Sequence, residues 1–577
     1  MKIKKTIIPA SAIKILIDNF HTLKLRHLQI LPLFVFTLFL EQCHAQNSNG
    51  DNFFTHADTL RGSITPERSW WNVLRYDITV KPDFAEKKLQ GFNIITFNAK
   101  QYPESPVMQI DMQVPMSIDS IFFGNERLKF KRAGNAYMVN LPKRNRGAMT
   151  GSVKAYFSGK PKESIKPPWD GGWIFTKDTL NRPWMTVACE GFGASCWYPN
   201  KDYLGDEPDS GASLSIIVPD TLIGVGNGRL QQKVDHEDGT TTYKWAVVNP
   251  INNYDIVPYV GKYTHWHDIY HGERGNLDCD YWVMDYNLKL SKIKFLAVDS
   301  MLKCFEYWFG PYPFYEDSYK LVEAPHLGME HQSAIAYGNK FRQGYSGKDL
   351  SETGRGLNWD FIIVHESGHE WFGNNITAKD IADEWIHEGF TNYSETLYIE
   401  FYFGREAAEE YLFGLRKLIR NDFPIIGRYG VNNEPEDTDQ YYKAGNMIHM
   451  IRHIIADDSL FRKILRGLNK EFYHQTVTTK QIEDYISRAS GIDFSKVFDQ
   501  YLRTTKIPVL EYKIHGHDLS FRWTNCIKGF KMPVDVNIKG PRRIKPTEQW
   551  QKLSFYPEGN FALSVDRNFY IGVTKVD

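Results

Sequence analysis

Apolar and polar residues alternate along much of the first half of the chain, and the alternation then gives way to a helical period. "YDITV" and "GFNIITFNA" each place apolar residues at every second position, the signature of half-buried strands. "IFFGNERLKF" carries a Gly124-Asn125 turn, and "LQQKVDHEDGTTTYKWAV" reads as a hairpin about Asp238-Gly239. These β signals run from Arg75 to about Thr264. From about Leu288 the spacing becomes 3.6: "LSKIKFLAVDSMLKCFEYWFG", "DFIIVHESGHEWFG", "EWIHEGFTNYSETLYIEFYFG", "AGNMIHMIRHII" and "TKQIEDYISRA" all predict helices. Thr478 and Gln481 are spaced as a capping box for the last of these. Beyond about Ile507 the alternation returns in "VLEYKIHGHDLSFRW" and "FALSVDRNFYIGVTKV".

This pattern predicts a multidomain α+β chain: a β-rich domain over 46–268, a mostly helical domain over 269–506 and a small β module over 507–577. No internal repeat or low-complexity linker interrupts it. Residues 1–45 stand apart. "ILPLFVFTLFL" follows Lys24 and Arg26 and precedes "CHAQ", which predicts an export signal cleaved after Ala45. Its 11 apolar residues (30–40) are short for a membrane span, which needs about 20. The expected location is therefore periplasmic or secreted, with lipid anchoring at Cys43 a minor alternative that Glu41 and Gln42 disfavour.

Charge narrows the partners. Lys plus Arg number 69, as do Asp plus Glu, and removing residues 1–45 leaves 63 basic against 67 acidic residues, a net −4. Nothing in that balance calls for a nucleic acid. Past residue 45 there are five cysteines, an odd number without metal-ligand spacing; Cys189 and Cys196 are read either as one disulfide or as buried free thiols.

The chemistry begins at "FIIVHESGHEWFGNN", residues 361–375. Three titratable groups inside an apolar run need partners. At i and i+4, His365 and His369 share one helix face and suit zinc, with Glu366 beside the metal where it would meet a bound water. "DEWIHEGFTNYSE" supplies a third ligand, Glu388, 19 positions after His369, which leaves room for a turn and a second helix.

"HESGHEWFGN" followed by "EWIHEGF" resembles the gluzincin zinc aminopeptidases, the family of aminopeptidase N and leukotriene hydrolase. The family pattern is H-E-x-x-H, eighteen residues, then Glu within W-x-x-E-G-F, and every ligand position matches. Further landmarks follow from the resemblance. The family's G-x-M-E-N stretch aligns with "LGMEH", which places the amine-binding glutamate at Glu330, with Gly328 and Met329 along the substrate; Leu327 and His331 depart from the pattern. The family's second amine contact, a Gln or Glu nine residues before a proline, falls on Glu190 ahead of Pro199. Its Y-x-K-G tyrosine falls on Tyr441, with Tyr442 as the neighbouring alternative and Ala444 where glycine is usual. The resemblance spans about residues 70–510. It implies a saddle-like β domain, a thermolysin-like catalytic domain, and a shortened chain without the helical domain of larger members.

What the resemblance implies is an enzyme with one zinc per chain. Glu366 would be its general base, Tyr441 its oxyanion donor, and Glu190 and Glu330 its clamp on a peptide's free N-terminus. The expected partners are peptides, with no membrane span after signal removal and a monomeric chain. A zinc endopeptidase and a non-catalytic zinc-holding peptide binder are the competing readings. The amine clamp opposes the first; the base and tyrosine oppose the second. The histidines of "HWHDIYH" (His265, His267, His271) read as an ordinary strand surface, and His449 and His453 as packing residues. Asn375 and Asn392 open N-x-S/T sequons inside the ligand region, where glycosylation is not expected.

Overall fold

An eight-stranded sheet forms the β-rich half. Its centre is a long hairpin, Asn72–Asp83 against Lys88–Ala99. The first strand of that hairpin also pairs in parallel with Ala212–Pro219, and the second pairs antiparallel with Met149–Gly159. The predicted hairpin about Asp238-Gly239 is present as Arg229–Asp235 and Thr240–Val247. The computed structural model describes residues 54–577 apart from 145–146, 433–437 and 556–561. The export signal and Cys43 lie outside the described residues. Among the described residues no helix is long and apolar enough to cross a membrane.

A second, five-stranded sheet joins the two halves of the molecule. Its order is Tyr263–Gly272, Gly275–Met284, Tyr319–Glu323, Ile335–Tyr337 and, at the edge, Gly328–Met329. Side chains alternate across its two faces. Tyr281, Val283, Leu321, Ile335 and Tyr337 pack into the hydrophobic core shared with the helices. Trp282, Met284, Val322, Ala334 and Ala336 pack into the core of the β-rich half. One sheet thus feeds both cores, and the boundary expected at 268/269 falls inside the strand Tyr263–Gly272, which is paired along its length with the next strand. A hairpin is one hydrogen-bonded unit, so the chain does not divide there.

The helices Ala297–Phe309, Phe361–Gly368, Trp385–Phe403 and Asp439–Ile455 lie on the other side of that sheet. The C-terminal strands, beginning with Val509–His515 and Asp518–Thr524, form a four-stranded and a three-stranded sheet. Their apolar residues Leu510, Leu519, Phe521 and Trp523 join the same core as those four helices. Residues from Thr55 onward make one compact unit.

Candidate active site

The helix Phe361–Gly368 starts where Asp360 caps it, accepting from the amides of Ile362 and Ile363 at 3.1 and 3.4 Å. Asp360 also accepts from the Tyr337 hydroxyl and the Asn339 amide, both at 2.7 Å, so the helix begins tied to the central sheet. The helix is buried throughout, which accounts for its apolar run. After His369 the chain enters a wide turn over Glu370–Asn374. The turn brings the Phe372 carbonyl back to His369 Nδ1 at 3.1 Å.

The Nε2 atoms of His365 and His369 lie 3.4 Å apart. Glu388 Oε2 stands 3.6 Å from the first and 3.5 Å from the second. It has no hydrogen-bond donor of its own and is buried. Two imidazoles and an orphaned carboxylate oxygen converging on one point form a donor set that fits a divalent cation of the zinc type. Glu388 sits in the first turn of the helix Trp385–Phe403. Gly389, the next residue, lets the helix Asp439–Ile455 approach: a Cβ there would stand 2.7 Å from that of Ala444. This close approach places the half-buried Tyr441 against the site. Its ring stacks over His365 at 6.2 Å and its hydroxyl meets Glu388. Burial raises the Tyr442 hydroxyl, and Glu395 adds to the rise ahead of Tyr345 and Glu388.

One residue that the sequence analysis passed over completes the set. Glu395 Oε1 accepts from His365 Nδ1 at 2.7 Å, which fixes the ring and leaves Nε2 facing the donor cluster. Glu395 is itself held by the Tyr411 hydroxyl at 2.6 Å. The signal was present in the sequence: Glu395 follows Glu388 by seven residues, two helical turns along one face.

Glu366 projects from the helix toward the edge strand Gly328–Met329, so closely that a Cβ on Gly328 would collide with its carboxylate. Burial pushes Glu366 up to about 8, with Glu330, Glu388 and Glu395 adding to the rise and His365 opposing it. Burial works against charge on His365 too, but Glu388 and Glu395 outweigh it and raise the imidazole well above its ordinary value. The same contacts, from His369 and His365, hold Glu388 low against its burial.

Glu330 lies directly after the edge strand, and its donor atom clusters with those of Glu366 and His369 within 4.8 Å. The Tyr254 hydroxyl donates to Glu330 Oε1 at 3.1 Å, and the Asn374 amide holds the Glu330 carbonyl at 2.8 Å. Glu190 arrives from the turn after the strand Pro183–Ala188 and meets the Glu330 carboxylate. Burial first, and then Glu330, Glu384 and Glu388, push Glu190 well above the usual carboxylate range. A small cavity opens beside it, walled by Tyr254, Asp202 and Glu384. Tyr254, Asn374 and Glu384 carried no pattern that sequence reasoning could use, because their relation to the site is tertiary.

The departures from the family pattern are accommodated nearby. His331 is buried and neutral, burial holding it well below its ordinary value, and its Nδ1 contacts the Tyr259 hydroxyl at 2.6 Å. Leu327 packs against the helical core. Cys189 and Cys196 are buried free thiols in contact with each other. Asn375 and Asn392 are buried. Among the described residues the clusters able to hold a metal ion involve only His365, His369, Glu388, Glu330 and Glu366. His449 bonds Asn568, and His265 bonds Asp280 on an exposed strand.

A helix carrying two imidazoles and a glutamate, a second helix returning another glutamate, and a sheet edge beside them meet in one buried cluster. Residues 295–501 match the Peptidase family M1 domain. "Probable aminopeptidase 1" of Saccharolobus solfataricus is 20 % identical over 494 residues, covering 81 % of this chain and 58 % of the relative. The protein of the same name from Sulfurisphaera tokodaii is 24 % identical over 275 residues, covering 44 % of this chain and 34 % of the relative. The chain thus spans between a third and three fifths of the lengths of these relatives. The M1 zinc metallopeptidase from Deinococcus radiodurans shares the fold, with a TM-score of 0.64 at 19 % identity over 76 % of this chain and 96 % of that one. The multidomain α+β architecture is that of this neighbour.

Proposed function

We propose that this chain is a zinc-dependent aminopeptidase that removes N-terminal residues from peptides. The observation that carries the reading is the pairing of two unlike sets. A three-donor metal set stands beside two carboxylates, Glu190 and Glu330, that face one another with no salt bridge to either among the described residues. Like charges held this close await a cation, and a peptide's terminal ammonium is of the right size and charge.

His365, His369 and Glu388 would hold one zinc. When bound there, it supplies Lewis-acid chemistry, polarising a carbonyl and acidifying water. The edge strand Gly328–Met329 has its free side open to an extended peptide, which would add as a further strand. Glu190 and Glu330 then fix the ammonium, so that the first peptide bond alone reaches Glu366. Glu366 takes a proton from the attacking water as its oxygen bonds to the carbonyl carbon. It returns that proton to the amine nitrogen as the C–N bond breaks. The Tyr441 hydroxyl donates to the oxygen on which negative charge develops. Gly328 contributes by having no side chain to displace Glu366.

The reading extends to place and state. The segment Ile30–Leu40 supports export to the periplasm or beyond, and the chain acts as a monomer. The test is a panel of aminoacyl-amides and N-acetylated peptides assayed with metal content measured in parallel. Hydrolysis of the free-amine series is expected, lost with a chelator and restored by zinc. Equal cleavage of blocked peptides at internal bonds would replace the aminopeptidase with an endopeptidase.

A further inference from the structure

The segment 285–309 runs along the surface as a short turn followed by the helices Leu288–Lys294 and Ala297–Phe309. One side of it fills the helical core through Phe295, Val298, Met301 and Leu302. The other side is also apolar. Tyr286, Leu290, Ile293 and Leu296 recur at intervals of four, three and three residues, the spacing of one helix face, and are 38–67 % exposed. Leu180, 60 % exposed, lies in the adjoining turn, where its neighbour Arg182 clamps Asp285 at 2.7 and 2.8 Å and sits over the Tyr286 ring. A soluble surface scatters its exposed apolar residues singly, and a stripe of this kind marks an interaction surface.

Between Tyr286 and Leu296 the charges of the segment are of one sign. Lys289, Lys292 and Lys294 flank it, and no acidic residue occurs between Asp285, which Arg182 neutralises, and Asp299. We propose that this face docks on an anionic lipid bilayer. Leu290, Ile293 and Leu296 would enter the headgroup boundary, and the three lysines would lie along the phosphate layer with their stems on the apolar surface. A second copy of the chain fits the face poorly. An isologous contact would bring two copies of the lysine-flanked face together, like charge against like. The inference is independent of the proposed peptidase activity, since no residue of the metal set or the amine clamp takes part.

Co-sedimentation of the full chain with vesicles tests it. Binding is expected to phosphatidylcholine vesicles containing about 30 mol % phosphatidylglycerol, and to fall at least about fivefold in pure phosphatidylcholine. It should fall similarly between about 0.05 and 0.5 M salt, as screening shortens. Substituting Leu290, Ile293 and Leu296 together by serine is expected to remove at least about four fifths of the binding, with the rate on a soluble substrate unchanged. A second variant, Lys289→Glu with Lys292→Glu and Lys294→Glu, should lose the phosphatidylglycerol dependence and keeps the apolar stripe should the serine variant misfold. No binding by the unmutated chain, or binding that both variants retain, would overturn the proposal. So would a concentration-dependent dimer, seen by sedimentation velocity, that the serine variant dissolves; that result would assign the face to self-association.

Discussion

The histidine pair and the carboxylate pair stand side by side, and they are held by opposite means. His365 and His369 come from one helix, Glu388 and Glu395 from one face of the next, and each imidazole meets a partner that attracts or accepts from it. Glu190 and Glu330 come from separate turns 140 residues apart, and burial together with the neighbouring Glu330 raises the cost of ionising Glu190. The first set leaves Glu388 Oε2 without a donor at the point where the two imidazole Nε2 atoms converge. The second is positioned by Tyr254 and Asn374. Under the proposed function the difference has a use: a metal that stays would meet a preorganised cage, and a substrate that leaves would meet a pair of carboxylates.

The largest expected effect falls between the two sets, on Glu366. Glu366→Gln leaves every metal donor in place, so zinc content should stay near one per chain while the rate drops by up to about 10,000-fold, the upper range for a general base. Metal analysis beside a steady-state assay reads both. Strong residual activity in a zinc-loaded variant would give the base role to another group and remove the link between the sets.

Tyr441 comes next. Tyr441→Phe keeps the ring stacked over His365 and deletes the donor, so kcat should fall about 100- to 1,000-fold with KM little changed. Tyr442→Phe should be nearly silent, because it is Tyr441 whose hydroxyl meets Glu388. The opposite outcome would mean that the helix Asp439–Ile455 presents its other tyrosine to substrate.

The carboxylate pair is tested by its selectivity. Removing one member should cost about 2–4 kcal/mol of transition-state stabilisation on a free-amine peptide, the scale for breaking a partly buried charged contact. An N-acetylated twin has no ammonium to lose, so Glu330→Ala should barely change its already poor cleavage. Comparing kcat/KM for both peptides with both proteins settles it. An equal loss on the two peptides would show that Glu330 acts on the metal side, where its donor atom already clusters with Glu366 and His369.

The contrast also explains what the sequence made legible. His365, Glu366, His369 and Glu388 were readable because helix geometry converts spacing into position, and Glu395 was readable by the same rule. Glu190 and Glu330 came only through resemblance, since nothing local says that two turns so far apart will meet. The boundary expected at 268/269 falls inside a strand for a related reason. Alternating patterns mark strands but do not tell which sheet they join, and the strand Tyr263–Gly272 joins the sheet that serves both cores.

The smallest effect should come from Glu395, and it probes how much of the cage is preorganised. Glu395→Gln preserves shape and burial and can still accept from His365 Nδ1. It loses the negative charge that steadies the ring and strengthens it as a ligand. One Gln nitrogen must also face either His365 or the Tyr411 hydroxyl, which now donates at 2.6 Å. Such outer contacts typically change metal affinity by about 10- to 100-fold. Competition with a zinc chelator should therefore show weaker retention, while the fully loaded variant should keep most of its rate, because Glu366, Tyr441 and the amine clamp are untouched. Unchanged affinity would mean that the two imidazoles and Glu388 are held by backbone packing alone. A large loss of rate at full loading would place Glu395 in the chemistry and not only in the cage.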